Sequence, residues 1–287
     1  MVHKFALLGF CLLGSLAISP AWAITDADIL NFALNLECLE ATYYSTAVNG
    51  YGLNATSLAG GPQGVGGGKA SLSSDLIKIV TEIANDEIDH VGDLRAQLGA
   101  AAVPCPAIDI GSSFEAIANK ALGITGFYPY SSDTNFLLGG FLFEDVGVTA
   151  FYGEVPQLTQ KDKLQLLAGI LPVEAYHAAI LRTLLYNRGL DIVQPYNIRV
   201  FDFVQALSNL RGKVGDGKDQ GIVTPPADGQ STSYPFANLI PQDGEGIVFQ
   251  RTPGEVLAIV YGGDSTQPGG FYPKGMNGPI NGISSSA

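Results

Sequence analysis

The sequence predicts an all-α protein: a four-helix bundle with one long crossover, followed by a small loop-rich C-terminal module. Three observations carry that reading. Four segments place apolar residues at three- and four-residue spacing, as helices with one buried face do. Two of them carry Glu, His, Leu, Arg and Leu at the same five offsets, in EIDHVGDLRAQL (87–98) and EAYHAAILRTLL (174–185). From about residue 191 onward Gly, Pro, Asn and Asp dominate, leaving only short helical pieces.

Residues 1–23 read as an export signal, with a basic MVHK start, the apolar run FALLGFCLLGSLAI and an AWA cleavage site ending at Ala23. The expected domains are therefore the signal (1–23), the bundle (24–190) and the C-terminal module (191–287). That run is too short for a membrane span, and no later uninterrupted run approaches the required length, so no transmembrane span is expected in the mature chain. The expected location is secreted or extracellular, meaning periplasm or cell wall in a bacterial source. A formal net charge of −12 argues against nucleic acid as a partner, because phosphate is repelled. Export permits a disulfide between Cys38 and Cys105, the two cysteines outside the signal. Two buried thiols serve equally well, since Cys38 falls inside a predicted helix. Asn54 opens an NAT sequon in a polar loop, a glycosylation site where the source glycosylates.

The first helix is predicted over 26–48, with Thr25 as its cap and Leu30, Leu34, Glu37, Ala41, Tyr44 and Val48 on its stripe. The stretch 49–69, with AGGPQGVGGGKA, reads as a flexible connection. It imitates a phosphate loop but fails its spacing: Gln63 stands where the first Gly belongs and Ala70 follows Lys69. The second helix spans 73–98, its stripe running through Ile83, Glu87, His90 and Leu94 to a stop at Gly99. A crossing over about 99–133 contains an extended VPCPAIDI and a short helix at SFEAIANKAL. The third helix, about 134–153, aligns Leu137, Gly140, Glu144, Val148 and Phe151. The fourth, about 159–188, aligns Leu167, Ile170, Glu174, His177 and Leu181, and Pro172 either kinks or restarts it. Short helices follow at RVFDFVQALSNLR and TPGEVLAIVYG.

The bundle reads as one helix pair used twice. Setting Glu37 on Glu144 also sets Thr42 on Thr149 and Tyr44 on Phe151, and setting Glu87 on Glu174 sets His90 on His177. In each Glu-x-x-His the two side chains share a helix face about one turn apart. They interrupt apolar stripes, the faces a bundle buries. Four uncompensated buried carboxylates would cost several kcal/mol each. Two divalent cations would neutralise Glu37, Glu87, Glu144 and Glu174, with His90 and His177 completing the shells. One Glu from each of two helices and a Glu-x-x-His from each of two others is the ligand set of di-iron and di-manganese carboxylate bundles, and mixed oxygen and imidazole donors suit iron or manganese. Glu40, one turn after Glu37, competes for its role; Glu37 is preferred because its repeat partner is Glu144, whereas Glu40 matches Gly147. Tyr44 is read first as a core aromatic, second as a hydrogen-bond donor to a ligating carboxylate. Asp86, Asp89 and Asp145 flank ligands but point off the stripe, so they are expected on the solvated surface.

LNFALNLECLEATYY, the two Glu-x-x-His segments and the closing segments RVFDFVQALSNLRGKVGDGKDQGI, RTPGEVLAIVYGG and PGGFYPKGMNGPI together resemble the desiccation-related proteins, which carry a ferritin-like domain. The resemblance covers nearly everything after the signal. It implies a ferritin-like four-helix bundle, export, an association with drying or oxidative stress, and the same six ligands: Glu37, Glu87, His90, Glu144, Glu174 and His177. Two functions are expected to compete. One is a redox enzyme whose two ions handle dioxygen or hydrogen peroxide. The other is a non-enzymatic protectant that sequesters metal. Cage-type storage is disfavoured by the bulk of the C-terminal module, and the oligomeric state is not set by the sequence.

Overall fold

The structure is a computed structural model and describes residues 24–224 and 236–283; the export-signal reading of residues 1–23 lies outside them. Helix α1 (Asp26–Asn49) starts at a capping box: Thr25 Oγ1 accepts from the Asp28 amide and the Asp28 carboxylate accepts from the Thr25 amide. It is buried on all sides from Ile29 to Ala47, as suits a central rod. The single turn α2 (Ala55–Leu58) follows, then α3 (Leu76–Leu98), whose buried face runs through Val80, Ile83, Glu87, His90 and Leu94. The crossover contains α4 (Ser112–Leu122). After α5 (Asp133–Phe141) and α6 (Glu144–Glu154), α7 (Lys161–Asn187) completes the bundle. Helix α1 packs on α3, both α5 and α6 pack on α7, and contacts of α1 with α6 and of α3 with α7 join the two pairs. This is the ferritin-like helical bundle with a loop-rich C-terminal part.

Two sequence expectations need correction, and a third, which left two alternatives, is resolved. The third helix is broken, not continuous. Leu142 and Phe143 bond back only three residues, to Gly139 and Gly140, and Glu144 begins a new helix. The break follows from the Gly139-Gly140 pair, where a Cβ would meet the hydroxyls of Tyr43 at 2.3 Å and Tyr44 at 3.0 Å. The Phe141 carbonyl at the break accepts from Arg211. Second, the glycine-rich connection is pinned down. Val65 donates to the Ile108 carbonyl and accepts from the Ile110 amide of the crossover, and a Cβ on Gly61 would sit 2.2 Å from the Cys105 carbonyl. Its glycines allow close backbone approach. Third, of the two readings of Pro172 the restart is excluded, because α7 continues through it. Pro172 lies on the exposed side of the helix and Glu174 on the buried side.

Cys38 of α1 and Cys105 of the crossover form a disulfide, so the thiol alternative is set aside. Arg95 of α3 donates to the Ser57 and Val103 carbonyls beside it. Its repeat counterpart Arg182 donates to Gln220, Gly221 and Asn238 carbonyls, so each copy of the pattern spends its arginine on anchoring a loop. Two helical stretches, Asp133–Gln157 and Lys161–Asn187, are apolar and long enough by composition to cross a membrane, which run length alone did not indicate. The first is 94% buried in the bundle, and the second turns Glu174 and His177 inward.

The C-terminal part contains α8 (Val200–Val214) and α9 (Pro253–Val260), with two short antiparallel pairs, β1 (Ile192–Val193) with β2 (Ile198–Arg199) and β3 (Val223–Thr224) with β4 (Phe236–Ala237). Asn35 on α1 exchanges bonds with the Asn277 main chain, and Tyr272 donates to the Asn35 carbonyl. On the other side, Arg182 of α7, Arg211 of α8 and Arg251 converge on Asp145 and Asp219. Asp145 is thus buried, contrary to its expected place on the surface. Burial pushes its carboxyl up, but Arg182 and Arg211 outweigh that and hold it below the usual carboxylate range.

Replacing Asp145 with Asn leaves buried guanidinium charge uncompensated and should cost about 3–5 kcal/mol in a denaturant titration. Removing the disulfide as Cys38→Ala/Cys105→Ala frees a loop with a sequence separation of 67 residues. Loop entropy then predicts a loss of about 4 kcal/mol. Dithiothreitol should lower the melting temperature of the parent protein and leave the double variant unmoved.

Candidate metal centre

All six residues predicted as ligands lie in one pocket between α1, α3, α6 and α7, and Glu40 lies there with them. Their ligand atoms fall into three overlapping groups, each within 4.8 Å: Glu37, Glu87, His90 and Glu174; Glu87, Glu144 and His177; Glu40, Glu144 and Glu174. Glu87, Glu144 and Glu174 each belong to two groups. Shared carboxylates of this kind suit two neighbouring ions. His90 Nδ1 is 3.2 Å from Glu37, 3.4 Å from Glu87 and 3.6 Å from Glu174. His177 Nδ1 is 2.8 Å from Glu87, and the ring centroids of the two histidines are 6.3 Å apart.

Most of these donors lack a hydrogen-bond partner. Both oxygens of Glu87 and of Glu174, one each of Glu37, Glu40 and Glu144, and His177 Nδ1 are buried and unsatisfied. The 2.8 Å approach of His177 to Glu87 is close yet not aligned as a hydrogen bond. Orphaned buried oxygens and an imidazole lone pair converging on common points are what a hard divalent cation requires. The residues present therefore fit two such ions, and the metal would be held by oxygen and nitrogen alone.

Without a cation, charge is managed by protons. Burial pushes Glu37, Glu40 and Glu174 well above the carboxylate range, with Glu87 adding repulsion at Glu37 and Glu174 adding it at Glu40. Burial likewise takes Glu144 to about 8. Burial also acts to raise Glu87, but its histidine neighbours hold it at about 2, and against the opposing effect of burial the carboxylates raise His177 to about 10.

Residues 25–187 match the family described as Ferritin-like domain. The chain belongs to it. Over 265 residues it is 34% identical to Ferritin-like catalase Nec2 of Nesocodon mauritianus, covering 89% of this chain and 84% of the relative. Over 264 residues it is 34% identical to Desiccation-related protein PCC13-62 of Craterostigma plantagineum, covering 88% of this chain and 83% of the relative. Both matches run well beyond the ferritin-like domain into the C-terminal part, so the desiccation-related family is shown as well.

Around this ferritin-like pocket stand residues that helix-stripe reasoning placed elsewhere. Asp86 is half-exposed, and its carboxylate is 3.1 Å from His177 Nε2, which turns Nδ1 toward the pocket. Tyr44 donates to Glu144, its second reading, while also packing edge-on against Tyr43 and Phe136. Asp89 is exposed, as expected. Glu154, which sequence reasoning passed over, is buried on α6 with both oxygens unpartnered, and belongs to none of the three groups. The available signal was adjacency: Asp86-Glu87 and Glu144-Asp145 each put a second acid one residue round the helix, where a neighbouring helix or the C-terminal part can meet it. The choice of Glu37 over Glu40 is not forced, because the two serve different groups. Gly147, the repeat counterpart of Glu40, explains the asymmetry: a Cβ there would lie 2.3 Å from Glu174 Oε2 and 3.0 Å from Glu40 Oε1. A second side chain does not fit.

Gly147→Ala should keep or raise the melting temperature of the metal-free protein, since Ala favours a helix interior by about 1 kcal/mol and the clashing atoms are ends of movable side chains. It should nevertheless bind less than a full complement of metal by elemental analysis. Asp86→Asn should weaken metal binding by about 10–100-fold in a competition titration with a chelator, with the fold unchanged by circular dichroism.

Proposed function

We propose that this protein is an exported dinuclear carboxylate enzyme that binds two iron or manganese ions and consumes hydrogen peroxide. The observation that carries the reading is the sharing of Glu87, Glu144 and Glu174 between overlapping ligand groups, which favours two adjacent ions over one. Glu37, His90 and His177 would complete their shells, with Glu40 held beside them. Held by these residues, such a pair would supply two-electron redox chemistry, by which one peroxide would be reduced to two waters and a second oxidised to dioxygen, with the protons of the second passing to the first. The name of the Nesocodon relative, a ferritin-like catalase, supports peroxide over other oxidants.

The chain's own residues prepare that chemistry. Tyr44 fixes one Glu144 oxygen and leaves the other for coordination. Asp86 orients His177. Tyr43 stacks on Phe136 at 4.8 Å and meets Phe114, Tyr130 and Phe143, closing one end of the pocket to water. His90, 7% exposed against essentially zero for the glutamates, marks the shallowest side, where a molecule as small as peroxide has the shortest path in.

A second reading, a protectant that only sequesters metal, is favoured by the near-complete burial of the candidate ligands, which would hold bound metal away from solvent. Export rests on the N-terminal pattern. Protein loaded with iron or manganese and given peroxide in a Clark electrode should release one dioxygen per two peroxides, and Glu87→Gln or His177→Ala should abolish the release. Two tightly held ions per chain with no oxygen evolved would favour sequestration, and no bound metal would end both readings.

A further inference from the structure

Behind the α6–α7 wall of the metal centre lies a second cavity, of about 640 Å³, between α7 and the C-terminal part. Its walls are apolar, formed by Leu171 and Tyr176 of α7 facing Ile240 and Phe249. Tyr176 is 69% exposed and Ile240 78%, so the rim is an open apolar edge. The floor is of opposite character: Asp145, Arg182, Asp219 and Arg251 line it, with Arg211 directly behind. This size, with apolar walls and a few convergent polar groups, is that of a small-molecule site.

The charge of the floor decides what such a molecule would be. Asp145 and Asp219 are shared among three guanidiniums, and the remaining lining charge, Lys218, is already paired with Glu255 at 2.6 Å. Four cations thus face three anions among the described residues, leaving one positive charge beneath an apolar chamber that no anion balances and that main-chain carbonyls, those of Gln220, Gly221 and Asn238 on Arg182, meet only with their dipoles. Arg182 Nε and Arg251 Nε also have no acceptor. A low-dielectric enclosure magnifies that field relative to water. A cation would be repelled, and a neutral apolar molecule would leave the charge uncompensated.

We infer that this cavity binds a small amphipathic anion, an aromatic or aliphatic carboxylate or sulfonate, with its acidic head toward the arginine floor and its apolar body between α7 and the 239–249 segment. None of the metal-ligating side chains lines this cavity, so the proposal stands apart from the peroxide reading.

The probe is 8-anilinonaphthalene-1-sulfonate, titrated into the metal-loaded mature protein and followed by fluorescence. It should bind saturably at one site and be displaced by 4-phenylbutyrate roughly tenfold or more better than by the cationic 4-phenylbutylamine, as one unbalanced buried charge predicts. Ala168→Trp, which fills the cavity from the α7 side, should abolish saturable binding with melting temperature and metal content unchanged. Equal displacement by the acid and the amine, or undiminished binding to Ala168→Trp, overturns the proposal. So does an absence of probe binding with self-association that Ala168→Trp removes, which would make this face a contact between two copies of the chain.

Discussion

Five glutamates crowd into a water-poor space on the axis of the bundle, and their mutual repulsion is the constraint around which the rest of the molecule is arranged. Desolvation of a single carboxylate costs several kcal/mol, and neighbours of like charge multiply the penalty. Two divalent ions, as proposed, would supply four positive charges, one fewer than the five carboxylates, and one carboxyl would then keep its proton. Glu40, raised by burial and by Glu174, is placed for that role. A stack of core hydrophobes would stabilise a four-helix bundle more simply than this arrangement does.

The backbone is shaped to bring these groups together. The interruption after Phe141 starts a new helix at Glu144, whose carboxylate therefore sits in a first turn, near the positive end of α6. Gly139, Gly140 and Gly147 provide room for Tyr43, Tyr44, Glu40 and Glu174. The C-terminal part then stabilises what the break exposes. Arg211 takes the freed Phe141 carbonyl and Asp145 together, while Arg251 donates to Thr149 from the far side of α6. Although it lies outside the ferritin-like domain, this part clamps the helices that carry half of the six candidate ligands.

The bundle was legible because its helices announce themselves by period, and the cluster of candidate ligands because a duplicated Glu-x-x-His interrupts apolar stripes twice. The same logic failed for Asp145: a residue off its own helix's stripe is exposed only if nothing else packs there, and the partner was Arg211, 66 residues away in a segment that reads as loop-rich. The pinning of the glycine-rich connection was hidden for a related reason. Local composition reports conformational freedom, whereas the bonds of Val65 to Ile108 and Ile110 depend on where the crossover runs. The break in the third helix was visible in principle in Gly139-Gly140, but only knowledge of which tyrosines approach there turns a tolerated pair into a necessary one.

Whether two ions bind at adjacent positions is tested most directly by anomalous diffraction from crystals of the metal-loaded protein, recorded on both sides of the iron and manganese edges. The account predicts two peaks, one near His90 and one near His177, with Glu87 between them. A single peak, or peaks outside the space enclosed by these helices, would contradict it.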